Sequence, residues 1–266
     1  MPSARSSPPC ASRRRWLAGA LATALCPSLA GAADAPLIAA ASDLKFALDE
    51  IAATYLAETG KAVRCVYGSS GNFRRQIAQG APYQLFFSAD ETYIDALVQE
   101  NRTLDKGVLY AIGRIAIMVP PNSPLKPDAD LRDLRSALGK GQIKRLAIAN
   151  PAHAPYGRAA QQALENTGLW PLLAGKIVLG ENVSQAAQFA TSGSTDGGII
   201  AYSLALAPAI GKLGRHALIP ASLHGPLRQK MALLSGAGDH AQAFYRYVQS
   251  PQARAILSRH GFSGAS

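Results

Sequence analysis

Four short stretches place small, uncharged residues rich in N–H donors where a strand gives way to a helix. They are AASD around Ser42, GSSGN around Ser70, APYG around Tyr156 and GENVS around Val183. A helix start leaves several backbone N–H groups unpaired and carries roughly half a positive charge from the summed peptide dipoles. An anion held at one such start is ordinary. Four in one chain point to a pocket that grips a small oxyanion with dipoles and hydroxyls. Each stretch also has a plainer reading. Ser42 and Asn182 are good helix N-caps, GSSG makes any flexible turn, and an aromatic at the position of Tyr156 often packs as a staple. Val183 has no polar side chain, so only its N–H can take part. It is the recurrence after strand ends that favours a pocket.

No catalytic constellation accompanies these stretches. None of the five histidines (His153, His216, His224, His240 and His260) has a Cys, Asp or second His at metal-ligand spacing. A serine nucleophile needs a positioned base. A hydrolase using Ser70 would require a basic partner beside it, and the only nearby histidine, His153, is expected on a surface loop. No G-x-S-x-G elbow and no Walker A stretch is present. The chain therefore reads as a binding protein and not an enzyme.

The elements that must position these residues alternate. Leu37 to Ala40 is a short apolar strand, and Leu44, Leu48, Ile51 and Tyr55 follow a helical period that ends at Gly60. Strands are expected at 61–67, 85–87, 145–149, 176–179, 198–203 and 230–234, with helices at 72–79, around 94–98, and at 131–138, 157–167 and 184–191. Residues 111–119 read as one long strand before Pro120-Pro121. Such alternation implies parallel strands joined by crossover helices, an α/β design. The run Val63-Cys65-Tyr67 points Cys65 at a core.

The first 32 residues stand apart. Arg13, Arg14 and Arg15 precede an apolar stretch from Trp16 to Leu29, and Ala30-Gly31-Ala32 supplies an A-x-A cleavage site. This is a cleaved export signal, too short to span a bilayer, where about 20 apolar residues are needed. Its SRRRWL run resembles the twin-arginine motif, so the twin-arginine and general secretory routes both stay open. Removing it takes four arginines and no acid, lowering the formal charge from +10 to +6. Cys10 and Cys26 leave too, and Cys65 alone forms neither an internal disulfide nor a metal site. The remaining Lys and Arg are scattered, without the basic stripe of a nucleic-acid binder.

From about Pro36 to its end the chain resembles the periplasmic molybdate-binding proteins that serve molybdate ABC transporters. The resemblance rests on AAASDLKFALDEIA, YGSSGNFRRQIAQGAPYQLFFSAD, YAIGRIAIMV, LAIANPAHAPYGRAAQQALE, GENVSQAAQFATSG, GIIAYSLA and SPQARAILSRHGF. It implies a type II periplasmic binding fold: two α/β lobes, a ligand cleft between them and a two-segment hinge. Lobe I would take 33–114 plus 218–266, and lobe II 115–217. Ser42 and Ser70 would give hydroxyl and N–H donors, Tyr156 and Val183 N–H donors, and Asp43 a neighbouring N–H. The molybdenum would be held as its oxyanion, with no direct metal ligation and no cofactor. Ala201 replaces the tyrosine of another branch. The implied partner is a membrane-embedded ABC permease, the implied state a monomer, and the implied ligands molybdate and tungstate. Another oxyanion such as phosphate or sulfate is the alternative, and a ligand-sensing role toward a membrane receptor is a further one.

Asp43 motivates that alternative, because relatives often carry a neutral residue there. A carboxylate beside a dianion repels it by about 1 kcal/mol per charge pair in water and by several in a dry cleft. Either its side chain turns away and stabilises the helix start, or it accepts a hydrogen bond from a protonated oxyanion. Arg74 and Arg75 are expected to face solvent.

Overall fold

LIAAA at Leu37–Ala41 (β1) is apolar at every position and almost wholly buried, the signature of a strand covered on both faces. The computed structural model describes residues 35–264; the export signal with Cys10 and Cys26 lies outside them. β1 pairs in parallel with β2 (Arg64–Gly68) and β3 (Leu85–Ser88). Side chains alternate between the two faces of a strand. Ile38, Ala40, Leu85 and Phe87 thus enter one core and Ala39 and Phe86 another. Helix α1 (Lys45–Thr59) covers the first of these faces through Leu48, Ile51 and Tyr55 and ends at Gly60 in the left-handed region (φ 70°). Helices α2 (Ser70–Ala78) and α3 (Glu91–Gln99) cover the second through Phe73, Ile77, Ile94 and Leu97.

The expected long strand over 111–119 is two strands in two different sheets. β4 (Val108–Gly113) ends at the first sheet, and β5 (Ile115–Val119) begins the second. Apolar residues flank Arg114 on both sides, so periodicity alone hides the break there. Beyond it come α4 (Arg132–Gly139), β6 (Leu146–Ala149), α5 (Pro155–Asn166), β7 (Ile177–Gly180), α6 (Val183–Thr191) and β8 (Gly198–Ala201). Then follow α7 (Tyr202–Leu206), α8 (Pro208–Gly211), β9 (Arg215–Leu218) and β10 (Leu227–Leu233). The strand expected to reach Ser203 stops at Ala201, where Tyr202 opens α7. Helices α9 (Asp239–Val248) and α10 (Pro251–Arg259) return to the core beside α1.

The first sheet runs β2-β1-β3-β10-β4 and the second β7-β6-β8-β5-β9. Neither is wholly parallel, as strict alternation had implied. β10 is antiparallel to β3 and β4, and β5 is antiparallel to β8 and β9. These strands arrive from the other sheet and not by a crossover helix, so their direction is reversed. The chain passes between sheets twice, and the two passages lie side by side. Ile219 N–H donates to the Ile115 carbonyl at 3.0 Å, and Arg114 Nη2 donates to the Ile219 carbonyl at 3.2 Å. The two sheets thus form the two α/β lobes that the resemblance implies, joined by two adjacent crossings of the chain. Cys65 packs on the lobe I core but is half-buried, since β2 is an edge strand. Among the described residues no helix is long and apolar enough to cross a membrane.

Gly157, in the first turn of α5, lets that helix start directly over the end of β6. A Cβ there would lie 2.2 Å from the Ala149 carbonyl oxygen, whereas one on Gly139 would meet nothing within 4 Å. Backbone cannot yield as a side chain does, so Gly157→Ala is expected to destabilise the fold by about 1–3 kcal/mol. The readout is a lower urea midpoint at unchanged slope, with Gly139→Ala as the control that should not fall.

Candidate functional site

The carboxyl ends of β1 and β2 in lobe I face those of β6 and β7 in lobe II, the place where open α/β sheets bind ligands. Ser42 follows β1, Ser70 opens α2 after β2, Tyr156 sits in the first turn of α5 after β6, and Val183 opens α6 after β7. All four, with Asp43, line one small cavity of about 10 Å³. None is more than 4% exposed. Among the described residues no Lys or Arg lines the cavity, so an anion there meets dipoles and hydroxyls and no countercharge. A wider groove lies elsewhere, along the flank of α5, Trp170 and β7. It gathers no set of helix starts.

Local bonding orients the two serines as donors. Ser70 Oγ accepts the Ala89 N–H at 3.0 Å. Ser42 Oγ accepts the Ser184 N–H at 3.3 Å. A hydroxyl that accepts from the protein keeps its own hydrogen to donate. Ser42 was expected to be an N-cap. It is instead the first residue of a 3₁₀ turn, Ser42–Leu44, and no side-chain cap is formed there. Its hydroxyl reaches the other lobe, which is why it does not cap its own helix. Asn182 does cap α6, accepting from Ser184 and Gln185 N–H at 3.0 and 3.1 Å.

Tyr156 presents its backbone to the cavity while its phenol runs to the junction of the lobes. The hydroxyl accepts from Gln229 Nε2 at 3.0 Å. Gly113 makes room for it: a Cβ there would come within 2.3 Å of that oxygen. Gln229 also donates to Asp43 Oδ2 at 2.6 Å and accepts from the Tyr110 hydroxyl at 2.7 Å. Burial raises both phenols well above their ordinary range, and the Asp43 carboxylate adds to this. Ala201, fully buried, ends β8 just before α7.

The Asp43 side chain turns toward Gln229, yet Oδ1 has no hydrogen-bond partner. Desolvation by burial pushes its carboxyl up from 3.8 to about 6. Gln229, Tyr156 and the backbone N–H groups of Asp43 and Leu44 offset that only in part.

His153 overturns its expected place on a surface loop: it is 8% exposed and joins the lobes. Its Nδ1 lies 2.9 Å from Ser69 Oγ, and its carbonyl accepts the Gly71 N–H at 3.0 Å. Its Nε2 is 3.6 Å from Glu181 Oε2. Ser69 is thereby drawn away from capping α2. Glu181 is 60% exposed and too distant to orient the ring, and the basic partner stands at Ser69, not Ser70. Other bonds across the cleft run from Ser184 Oγ to the Ser42 carbonyl (3.0 Å), from Ser203 Oγ to the Asp43 carbonyl (2.8 Å) and from Arg158 to Tyr93 (2.8 Å). Arg158 also pairs with Asp90, and Asn72 donates to Glu181. The lobes are closed on each other. Arg75 is exposed as expected, while Arg74 is half-buried and paired with Glu100.

The family model for bacterial extracellular solute-binding proteins matches residues 36–263. The molybdate-binding protein ModA of Rhodobacter capsulatus is 34% identical over 251 residues, covering 92% of this chain and 95% of that protein. ModA of Escherichia coli K12 is 31% identical, covering 94% and 98%. Among solved structures, the periplasmic molybdate-binding protein of Azotobacter vinelandii superposes with a TM-score of 0.78 at 29% identity, over 87% of this chain and all of that one. The sulfate-binding protein SubI of Mycobacterium tuberculosis shares the fold, with a TM-score of 0.71 at 17% identity over 87% of each chain.

The raised carboxyl of Asp43 sets a direction for stability. Between pH 3.8 and about 6 the folded chain binds more protons at this residue than the unfolded chain. Stability therefore falls as pH rises through that window and stays lower above it. The displacement corresponds to roughly 3 kcal/mol. Ligand-free Asp43→Asn is expected to melt above the wild type at pH 7.5, with the gap closing by pH 4. A wild type that is the more stable of the two at pH 7.5 would refute this account.

Proposed function

The chain belongs to the bacterial extracellular solute-binding proteins, and on that premise we propose that it captures molybdate and tungstate in the periplasm and delivers them to an ABC permease. The observation that carries this reading is the convergence of Ser42, Ser70, Tyr156 and Val183 on one buried cavity without a lysine or arginine. Neutral donors suit a fully ionised tetrahedral oxyanion, because none of them has to accept a proton. The ligand oxygens take hydrogen bonds, and no protein atom bonds the molybdenum. Each charge-assisted bond is worth about 1.5–3 kcal/mol where water is excluded.

Half of these donors lie on each lobe, so the filled cleft satisfies both lobes at once and shifts the population toward the closed form. Discrimination against sulfate rests on cavity size, since molybdate and tungstate carry the same charge on a larger frame. The identity to ModA proteins over almost their whole length supports molybdate. Export of the chain would use residues 1–32, by the twin-arginine or the general secretory route, with the remainder acting as a monomer. A second reading, phosphate in the same cleft, has one observation in its favour: the unpartnered Oδ1 of Asp43 is an acceptor for a hydrogen that phosphate carries and molybdate lacks.

Calorimetric titration of ligand-stripped mature protein with molybdate, tungstate, sulfate and phosphate at neutral pH decides between them. Tight one-to-one binding of molybdate and tungstate alone is expected. Ser70→Ala should weaken it about 10- to 100-fold, the loss of one charge-assisted bond. Binding of phosphate in preference to molybdate would replace the reading with the second.

A further inference from the structure

Among the described residues Asp43 is the one acidic residue lining the cavity, and no cation stands beside it. It is 1% exposed. Among the described residues no ion pair includes it. The groups that face it are Gln229 from β10, Tyr110 from β4, Tyr156 from α5 and the N–H of Leu44 from its own turn. Ser203 from α7 bonds its carbonyl and not its carboxylate. The titratable members of this set are the two tyrosines, both held in their neutral form by burial. Oδ2 accepts from Gln229, while Oδ1 makes no full hydrogen bond and has only the partial help of Tyr156 and the Asp43 and Leu44 N–H groups.

Adding a doubly charged oxyanion to this cavity would bring like charges together in a closed site without a cation. Low dielectric magnifies that repulsion, and a buried charge in such a place is neutralised by a proton in preference to remaining ionised. We propose that Asp43 makes capture of a doubly charged oxyanion proton-coupled, the closed complex holding one proton between the Asp43 carboxyl and an oxygen of the ligand. This rests on the oxyanion reading of the cleft and deepens it.

The balance is simple. The carboxylate, one proton from solvent and the dianion form the complex, and no bond of the ligand breaks. Protonation turns an acceptor-only group into a donor, so the residue that would repel the ligand instead gives it a short, charge-assisted bond. With its carboxyl at about 6 in the closed form, the proton is within easy reach near neutral pH.

The sign of the pH dependence follows. Below about pH 6 the ligand-free site already carries the proton, so affinity is flat. Above it, each capture draws a proton from solution, and affinity falls by up to about tenfold per pH unit. The test titrates molybdate into ligand-stripped mature protein at pH 6, 7 and 8, each in two buffers of different ionisation enthalpy. Uptake approaching one proton per molybdate at pH 7 to 8 is expected, with affinity lost over the same range. Asp43→Asn, which keeps the backbone N–H, should bind with no uptake and a flat profile. Molybdate binding by the wild type without proton uptake overturns the inference and leaves the functional reading standing. An unchanged slope in Asp43→Asn also overturns it by placing the proton elsewhere. Failure of molybdate to bind at any pH overturns the functional reading, and the inference falls with it.

Discussion

The carboxamide of Gln229 is where both lobes meet. It accepts from Tyr110 and donates to Asp43 and to Tyr156, so a single fully buried side chain ties β4, the turn after β1 and the start of α5. Such a network stabilises only when its members are satisfied, and one missing partner in low dielectric is costly. The position of α5 is fixed through it, and with α5 the N–H groups at the top of lobe II. Gln229 lies on β10, just after the second passage between sheets. The strand that returns the chain to lobe I therefore also sets the distance across which the cleft closes.

From that junction outward, the cleft is built from strand ends. Each of β1, β2, β6 and β7 delivers a turn whose backbone is only partly paired by its own helix, and the closed lobes complete several of these turns for each other. Ser184 serves Ser42, His153 serves Ser69 and Gly71, and Ser203 serves the Asp43 carbonyl. Because the cavity has no cation, field strength comes from aligned peptide dipoles in a dry space, where they act far more strongly than in water. An arginine would have to be desolvated on every closure.

Much of this was legible in the chain. The four stretches, the Asn182 cap, the stop of α1 at Gly60 and the two faces of β3 all follow from local rules of capping, glycine geometry and period-two alternation. What escaped was non-local. His153 reads as a loop histidine because its partner Ser69 is 84 residues away. Gln229 carries no signal at all, being 186 residues from Asp43 along the chain. The break at Arg114 is hidden for a different reason. Apolar residues lie on both sides of it, so hydropathy sees one run where the chain in fact leaves one sheet for another.

The contact between Gly113 and Tyr156 bears on how such a protein can be recombined. The phenol occupies the space that a side chain at 113 would need, and the two residues belong to opposite lobes. Lobe II is thus not an interchangeable module. A chimera that grafted this α5 onto a relative with any larger residue at 113 would jam at the junction. One that kept Gly113 but brought a smaller residue at 156 would leave a hole there. Residues 113 and 156 must be inherited together, like the two halves of a joint cut from one piece.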